Sequence, residues 1–478
     1  MDIPRGSLWR HCPCDMVAQD NKNGRGENLK KTLDLTEGNI WKKMLLFALP
    51  LLGTSFIQQL YNTVDLLVVG NLLGKEAHAA VGASSLLTTC VVGFFTGLSV
   101  GCGVMTAQAR GAGDRRKLDR ILHTAMGVSL AGGAILSVLG VALARQFLVW
   151  MNAPEEILAP GAGYARIYLM SMIPMCIYNI YAGVMRALGD SESPMRMQLW
   201  GGVINVVMDL VLVKLLPDGI YGVALATLFS QSAAAVLAVR YLRRGTEFGR
   251  LDLSRIRLEG EIVGEIARLG VPAGLQNLVI TLSNVFVQSA VNRLGVDAIA
   301  GFAAYFKVEL LIYMPIVALG SAMMTFSGQC CGAGNIRRIS EGVRVCIAMG
   351  VAYVAVMSAL LYFFGQYAFM LFTRDPGVIE SGMRIVHVTF PLYWIYVFLQ
   401  IFAEAARGKG KTLQPMLIIL ATICVFRTVC LMIFTRSGVT IERVAAVYPA
   451  AWFAAAVCLF LFWMKERRRE AFPERMKL

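Results

Sequence analysis

Residues 108–113 read Gln108-Ala109-Arg110-Gly111-Ala112-Gly113, and 221 residues later the chain reads Gln329-Cys330-Cys331-Gly332-Ala333-Gly334. The same offset carries Asn71-Leu72-Leu73-Gly74 onto Asn292-Arg293-Leu294-Gly295, and Arg186, Gly189, Pro194 and Met195 onto Arg407, Gly410, Pro415 and Met416. Nearer the start of each copy the offset is 222, taking Pro50 to Pro272 and Asn62 to Asn284. A drift of one residue is what a loop insertion produces. Two copies of one hydrophobic unit in a membrane chain point to a transporter with its site between the halves.

Hydrophobic residues make up 56% of the chain, charged residues only 16%, and the mean hydropathy is +0.60. A soluble chain carries about a quarter charged residues. Twelve apolar segments are long enough to span a bilayer at roughly 20 residues each: 43–70, 80–107, 121–143, 164–186, 195–215, 220–240, 262–291, 299–328, 342–364, 384–405, 414–435 and 443–464. Spans 1, 2, 7 and 8 exceed the bilayer's need, which predicts tilt or protrusion. The fold expected is an all-α membrane protein of twelve transmembrane helices in two six-helix repeats, two lobes around a central cavity. An even number of spans per repeat gives both halves the same orientation. The division expected is a disordered cytoplasmic tail over 1–40, lobes over 41–241 and 261–464, a cytoplasmic linker over 242–260 and a basic cytoplasmic tail over 465–478.

The net charge of +14 raises nucleic acid as a partner, but its distribution argues against it. Lys and Arg cluster in alternate loops: eight in residues 1–44, five in 108–120, seven in 240–268 and six from Lys465 onward. That alternation follows the positive-inside rule and places both termini in the cytoplasm of a multi-pass protein of the cell (plasma or inner) membrane. The basic loops then face anionic lipid. The partners expected are small organic molecules and the bilayer, with no nucleic acid, and the chain is expected to be a monomer. Residues 1–40 hold no apolar core of the signal-peptide kind. His11, Cys12 and Cys14 lie together there, a weak metal motif beside the simpler reading of an unstructured arm. The other cysteines sit mostly inside apolar spans, such as Cys90, Cys176, Cys424 and Cys458, where they behave as small hydrophobes.

Polar residues at membrane depth are expensive, so each needs a partner or a role. Span 1 carries Gln58, Asn62 and Asp65 at i, i+4 and i+7, on one helix face. Span 5 carries Asn205 and Asp209, and span 6 Thr227 and Gln231, each pair at i, i+4. Two carboxylates close together in a low-dielectric site do not both stay ionised cheaply, so one takes a proton or a cation is captured. Oxygen donors from Asp, Asn and Thr suit a hard cation such as Na+, and the same carboxylates suit H+; the alternative is that they only bind helices together. Span 7 has the stripe Asn277, Thr281, Asn284 and Gln288 without an acid, and Val287 stands where the repeat would place Asp65. The acid pair is therefore not duplicated. Lys307 and Glu309 in span 8 are two residues apart, so they point to different sides, and either lines a cavity. In span 11, Arg427 cannot lose its charge. Glu404 is expected to reach water near the end of span 10, and His387 to be a packing histidine. Pro50 and Pro272 sit early in spans 1 and 7, where proline removes a backbone hydrogen bond. Pro50, fifteen residues before Asp65, is either a hinge or a static bend, while Pro315 and Pro391 are read as static.

The twelve spans in two repeats, the Gln-x-x-Gly-Ala-Gly signatures after spans 2 and 8, and Leu60-Tyr61-Asn62-Thr63-Val64-Asp65 with Gly70 resemble the multidrug and toxic compound extrusion (MATE) family over residues 35–465. Asn205-x-x-x-Asp209 followed by Thr227 resembles the amino-lobe cation site of its DinF-like branch. The resemblance implies that Asp65, Asn205, Asp209 and Thr227 carry the coupling ion, Na+ or H+, with no other metal and no cofactor. It implies Pro50 as the place where the first helix bends. Candidates for lining the cavity are Gln58, Asn62, Gln231, Asn277, Thr281, Asn284, Gln288, Lys307, Glu309 and Arg427. The second span-8 signature departs from Gln-Asn-x-Gly-Ala-Gly by Cys330 and Cys331. Another branch has an acid in span 7, and its absence here favours the amino-lobe site. The function implied is export of organic, cationic compounds by secondary antiport, and the 24 Met and 24 Phe suit an adaptable cavity as well as lipid-facing surfaces. The alternative is a flippase or exporter of lipid-linked saccharide of related fold, which calls for a basic cavity that only Lys307 and Arg427 supply. An intramembrane enzyme would need His-Glu-x-x-His or Gly-x-Ser-x-Gly in a span, and neither occurs.

Overall fold

Helices apolar on every side bury one face against their neighbours and offer the rest to lipid. A computed structural model describes residues 32–150, 154–216, 218–247 and 249–475. Spans 3 and 9 show the pattern plainly, with Val138 68% and Phe363 70% exposed. Ten helices are long and apolar enough to cross a membrane, and two bent pairs raise the count to twelve. Among the described residues there is no β-structure beyond one isolated bridge, Thr246 with Gly249.

The first half comprises span 1 (Ile40–Val68), span 2 (Gly74–Gly111), span 3 (Arg115–Trp150), span 4 (Glu155–Met170 and Met172–Ala187), span 5 (Glu192–Leu215) and span 6 (Gly219–Arg244). The second comprises span 7 (Gly260–Val291), span 8 (Val296–Gly332), span 9 (Ile336–Phe369), span 10 (Pro376–Thr389 and Trp394–Gly408), span 11 (Leu413–Ile419 and Arg427–Phe434, joined by a π-helical stretch) and span 12 (Ile441–Arg475). Spans 4 and 10 break at corresponding places, by 45° and 58°. Pro174 and Pro391 stand at these breaks; each lacks the amide that would bond the preceding turn. Around Ser171 the freed carbonyls are met by side chains: Ser171 Oγ donates to Tyr168 O at 2.5 Å and Ser137 Oγ to Leu169 O at 2.6 Å. Hydroxyls re-satisfying backbone at a break are what an apolar solvent demands.

The halves meet through the repeated signature, whose glutamine and two glycines each have a physical task. Gln108 Nε2 donates to Gly408 O at 2.9 Å, and Gln329 Nε2 donates to Ala187 O at 2.8 Å. Each bond crosses from one half to the other, and the two are related by the 221-residue offset. The first glycine allows contact: a Cβ on Gly111 would lie 1.9 Å from Gln329 O, and one on Gly332 2.0 Å from Gln108 O. The last glycine ends the helix in the left-handed region, with φ 67° at Gly113 and 73° at Gly334. Deeper in, spans 2 and 7 cross at glycine on glycine, where a Cβ on Gly97 would lie 2.1 Å from Gly274 N. Small residues allow such close approach in apolar surroundings.

The signature contacts gather at the end of the bundle that bears the basic loops. Residues 32–39, expected as the end of a disordered tail, form a strap across that end. Leu35 is fully buried, its amide donates to Gln329 Oε1 at 3.1 Å, and Leu33 N donates to Gly189 O at 3.1 Å. Arg338 Nη2 donates to Glu37 O at 2.6 Å and to Gly38 O at 2.7 Å. The strap thus touches both halves. Span 12 runs on as helix to Arg475, and its basic end is tied back by Lys409–Glu470 and Lys411–Glu466 pairs. His11, Cys12 and Cys14 lie outside the described residues.

Candidate functional site

Span 1 is one helix through Pro50, with Thr54 Oγ1 donating to Pro50 O at 2.9 Å. Its inner face near Pro50 belongs to the second half's core, through Met44, Phe47 and Leu51. Fifteen residues on, at about 1.5 Å each, Asp65 lies in the first half at the opposite end from the strap. There it meets span 5. Asn205 is 1% exposed and Asp209 0%, because spans 5 and 6 pack along that face. The Asp65 and Asp209 carboxyls approach closely enough to share a hydrogen bond once one carries a proton. Among the described residues no hydrogen-bond partner serves Asp65 Oδ1, either Asp209 oxygen, or the Nδ2 and Oδ1 of Asn205. Unpaired buried polar atoms are costly and rare, and two carboxylates in one such place call for a cation or a proton. Thr227 is also buried and donates its hydroxyl proton to Val223 O at 3.2 Å, which leaves the oxygen's two lone pairs as acceptors. Oxygen donors of this kind suit a hard cation, and of the four side chains the structure brings Asp65 and Asp209 within reach of each other. Gln231, one turn beyond Thr227, is buried too. Gln58 and Asn62 share Asp65's face but are exposed.

The second half holds a cavity of about 470 Å³. Gln59 of span 1 reaches it, and the rest of its lining comes from spans 7, 8, 10, 11 and 12. Of the residues singled out from sequence, Asn284, Lys307, Glu309 and Arg427 line it together, whereas Gln58, Asn62, Gln231, Asn277, Thr281 and Gln288 do not. Asn277 Nδ2 instead donates to Gly93 O at 3.3 Å between spans 7 and 2. Thr281 bonds back to Asn277 O at 2.9 Å, and Gln288 donates to Asn292 Oδ1 at 2.9 Å. Lys307 and Glu309 share the cavity without pairing. Glu309 Oε1 accepts from Tyr393 OH at 2.9 Å and Tyr305 OH at 3.4 Å. Arg427 Nη2 donates to Ser283 Oγ at 2.6 Å and Asn284 Oδ1 at 2.9 Å, with its guanidinium 5.4 Å from the Tyr448 ring centre.

Glu404 does not reach water. It is 7% exposed and paired with Arg407, whose Nη2 also donates to Gln276 Oε1 at 2.8 Å. An arginine one turn away supplies the charge partner that water was expected to replace. His387 packs against Tyr362, ring centres 4.6 Å apart, as a packing histidine does. Gln59, Gln276, Tyr305, Tyr393, Tyr396, Tyr448 and Trp452 were not singled out from sequence. The one signal available for Tyr393 was its place two residues after Pro391, at the span 10 break.

The MatE family model matches residues 50–211 and 272–433, one match per half. The probable multidrug resistance protein YoeA of Bacillus subtilis (strain 168) is 29% identical over 436 residues, 89% of this chain and 94% of that protein. The FAD transporter of Shewanella oneidensis is 26% identical over 397 residues, 81% of this chain and 83% of its own. A crystal structure of MATE in complex with MaL6 superposes with a TM-score of 0.86 at 22% identity, covering 93% of this chain and all of that one. That likeness speaks to the fold.

Proposed function

The chain belongs to the MatE (multidrug and toxic compound extrusion) family of membrane transporters, and from that premise we propose that it is a secondary active exporter of organic compounds, driven by Na+ or H+ taken up at Asp65, Asn205, Asp209 and Thr227. It is a multi-pass membrane protein and not an enzyme. The observation that carries the proposal is the buried carboxyl pair of spans 1 and 5 with its unpartnered oxygens. The relative named for multidrug resistance supports drugs as cargo, and organic cations are the first class to test. The basic strap end faces the cytoplasm, by the positive-inside rule, of the plasma or inner membrane, and the protein acts as a monomer.

An ion entering from outside neutralises the carboxyl pair, so spans 1 and 5 no longer repel. The helix pair repacks, and the shift reaches the cavity through span 1, which carries both Asp65 and Gln59. Ion and cargo then oppose each other's binding, which is a coupling free energy between two sites. One charge falling through ~100 mV supplies about 2.3 kcal/mol, enough for roughly fiftyfold accumulation. Dye efflux from proteoliposomes tests this, with Na+ and H+ gradients imposed separately on the wild type and Asp65→Asn. Efflux driven by one gradient and lost in the variant names the ion. Efflux untouched by the substitution refutes coupling through Asp65 and moves the coupling site to the second half, whereas no gradient-driven efflux moves the case to lipid-linked saccharide.

Pro50 serves as the hinge of span 1. Pro50→Ala restores an amide that can bond Leu46 O, stiffening the helix. Transport is expected to fall severalfold with melting temperature unchanged or raised. An unaltered efflux rate in the same liposomes would make Pro50 a static bend.

A further inference from the structure

The second-half cavity holds a charge that its own residues do not balance. Arg427 is 3% exposed, and its Nε has no hydrogen-bond partner. Its other contacts are neutral: Ser283, Asn284 and the Tyr448 ring. Among the described residues no carboxylate pairs with it. A guanidinium keeps its charge in every protein setting, and a buried ion without a counter-ion is strongly unfavourable. Lys307, also on the cavity, has its ammonium 5.5 Å from the Phe372 ring centre and, among the described residues, no carboxylate partner. The one carboxylate present, Glu309, is turned to Tyr393 and Tyr305. Across the cavity Tyr393, Tyr396 and Trp452 stand edge to face, with Tyr393 and Trp452 centres 4.8 Å apart. The volume falls within the range of small-molecule sites.

We infer that this cavity binds an aromatic compound bearing an acid group, carboxylate or phosphate, with the acid at Arg427 and Lys307 and the rings against Tyr393 and Trp452. The inference rests on the export reading and narrows its cargo. Acid-bearing aromatics, zwitterions included, are then preferred over the plain cations expected from the family resemblance. The π-helical stretch Leu420–Phe426 immediately before Arg427 rotates the helix there, a feature frequent at functional sites.

The test is equilibrium binding by fluorescence anisotropy, with no ion gradient, comparing rhodamine B with its ethyl ester on the purified protein. A charge-assisted contact predicts that the acid binds at least about tenfold tighter than the ester. That advantage is expected to vanish in Arg427→Gln, to survive in part in Arg427→Lys, and to shrink in Lys307→Gln, with binding of the cationic ester not weakened in either Gln variant, since each removes a like charge. Lys307 is exposed, so its variant reports even if Arg427→Gln fails to fold. Equal or tighter binding of the ester, or equal losses for both dyes, overturns the inference. Displacement of rhodamine B by equimolar phosphatidylglycerol also overturns it, by assigning the site to lipid. Wild-type efflux with no acid preference leaves the export reading standing. An acid preference without gradient-driven efflux leaves the site standing and removes the export reading.

Discussion

Asp209→Asn is expected to abolish gradient-driven accumulation while raising thermal stability. In the wild type the carboxyl pair lacks a donor, so Asp65 and Asp209 share a hydrogen bond only with a proton between them. The asparagine amide supplies that donor permanently and removes one charge. Relieving a buried unsatisfied polar atom is worth roughly 1–3 kcal/mol, or ~2–4 °C per kcal/mol in a domain the size of one half. The same relief removes the reason to take up an ion. The concentration ratio sustained by a ~100 mV potential then falls from roughly fifty toward one, with passive equilibration of dye persisting. Efflux and a thermal melt on one preparation check both parts. A variant less stable than wild type, or one that still concentrates dye, would show that the pair is a helix-binding device. Stability gained as activity is lost is the usual mark of a strained functional site.

Gly332→Val is expected to stop the cycle at the other end of the molecule. The added Cβ alone would lie 2.0 Å from Gln108 O and 2.9 Å from Ala112 N, both backbone atoms of the opposite half. Neither can rotate away, so the halves must part at the strap end. Overpacking of this kind costs typically about 1–3 kcal/mol, which biases a two-state equilibrium by about 5–150-fold. The helices themselves keep their packing, so folding is expected to survive. Efflux should fall by more than about tenfold, and maleimide labelling of the half-buried Cys331 beside it should quicken. Ala333→Val, at an exposed neighbour, is the control and should be silent. Normal efflux in Gly332→Val would mean that the strap end need not close this tightly.

The polar stripes show where sequence reasoning reaches. Asp65 and Asp209 came together because spans 1 and 5 pack side by side, while Asn205 and Thr227 are buried on spans 5 and 6. Gln58 and Asn62 share a face with Asp65 yet are exposed, since a face says nothing of how far along the helix its neighbour extends. Glu404 was misplaced for the same reason: its partner Arg407 was visible one turn away, but not that span 7 would cover both with Gln276.

The sequence by itself determined the number of spans, their pairing into two halves and the presence of a single acid pair. Apolar length, loop charge and a repeat offset are local or additive properties, read by a bilayer whatever the tertiary contacts. Only the tertiary structure decided that Gln108 and Gln329 reach across to the opposite half, that Glu309 is held by Tyr393, and that Arg427 stands without a carboxylate. A side chain's partner depends on the rotation and depth of a helix hundreds of residues away. In lipid, which offers no water as a substitute, that partner decides whether a buried charge is merely held or is left to meet a ligand.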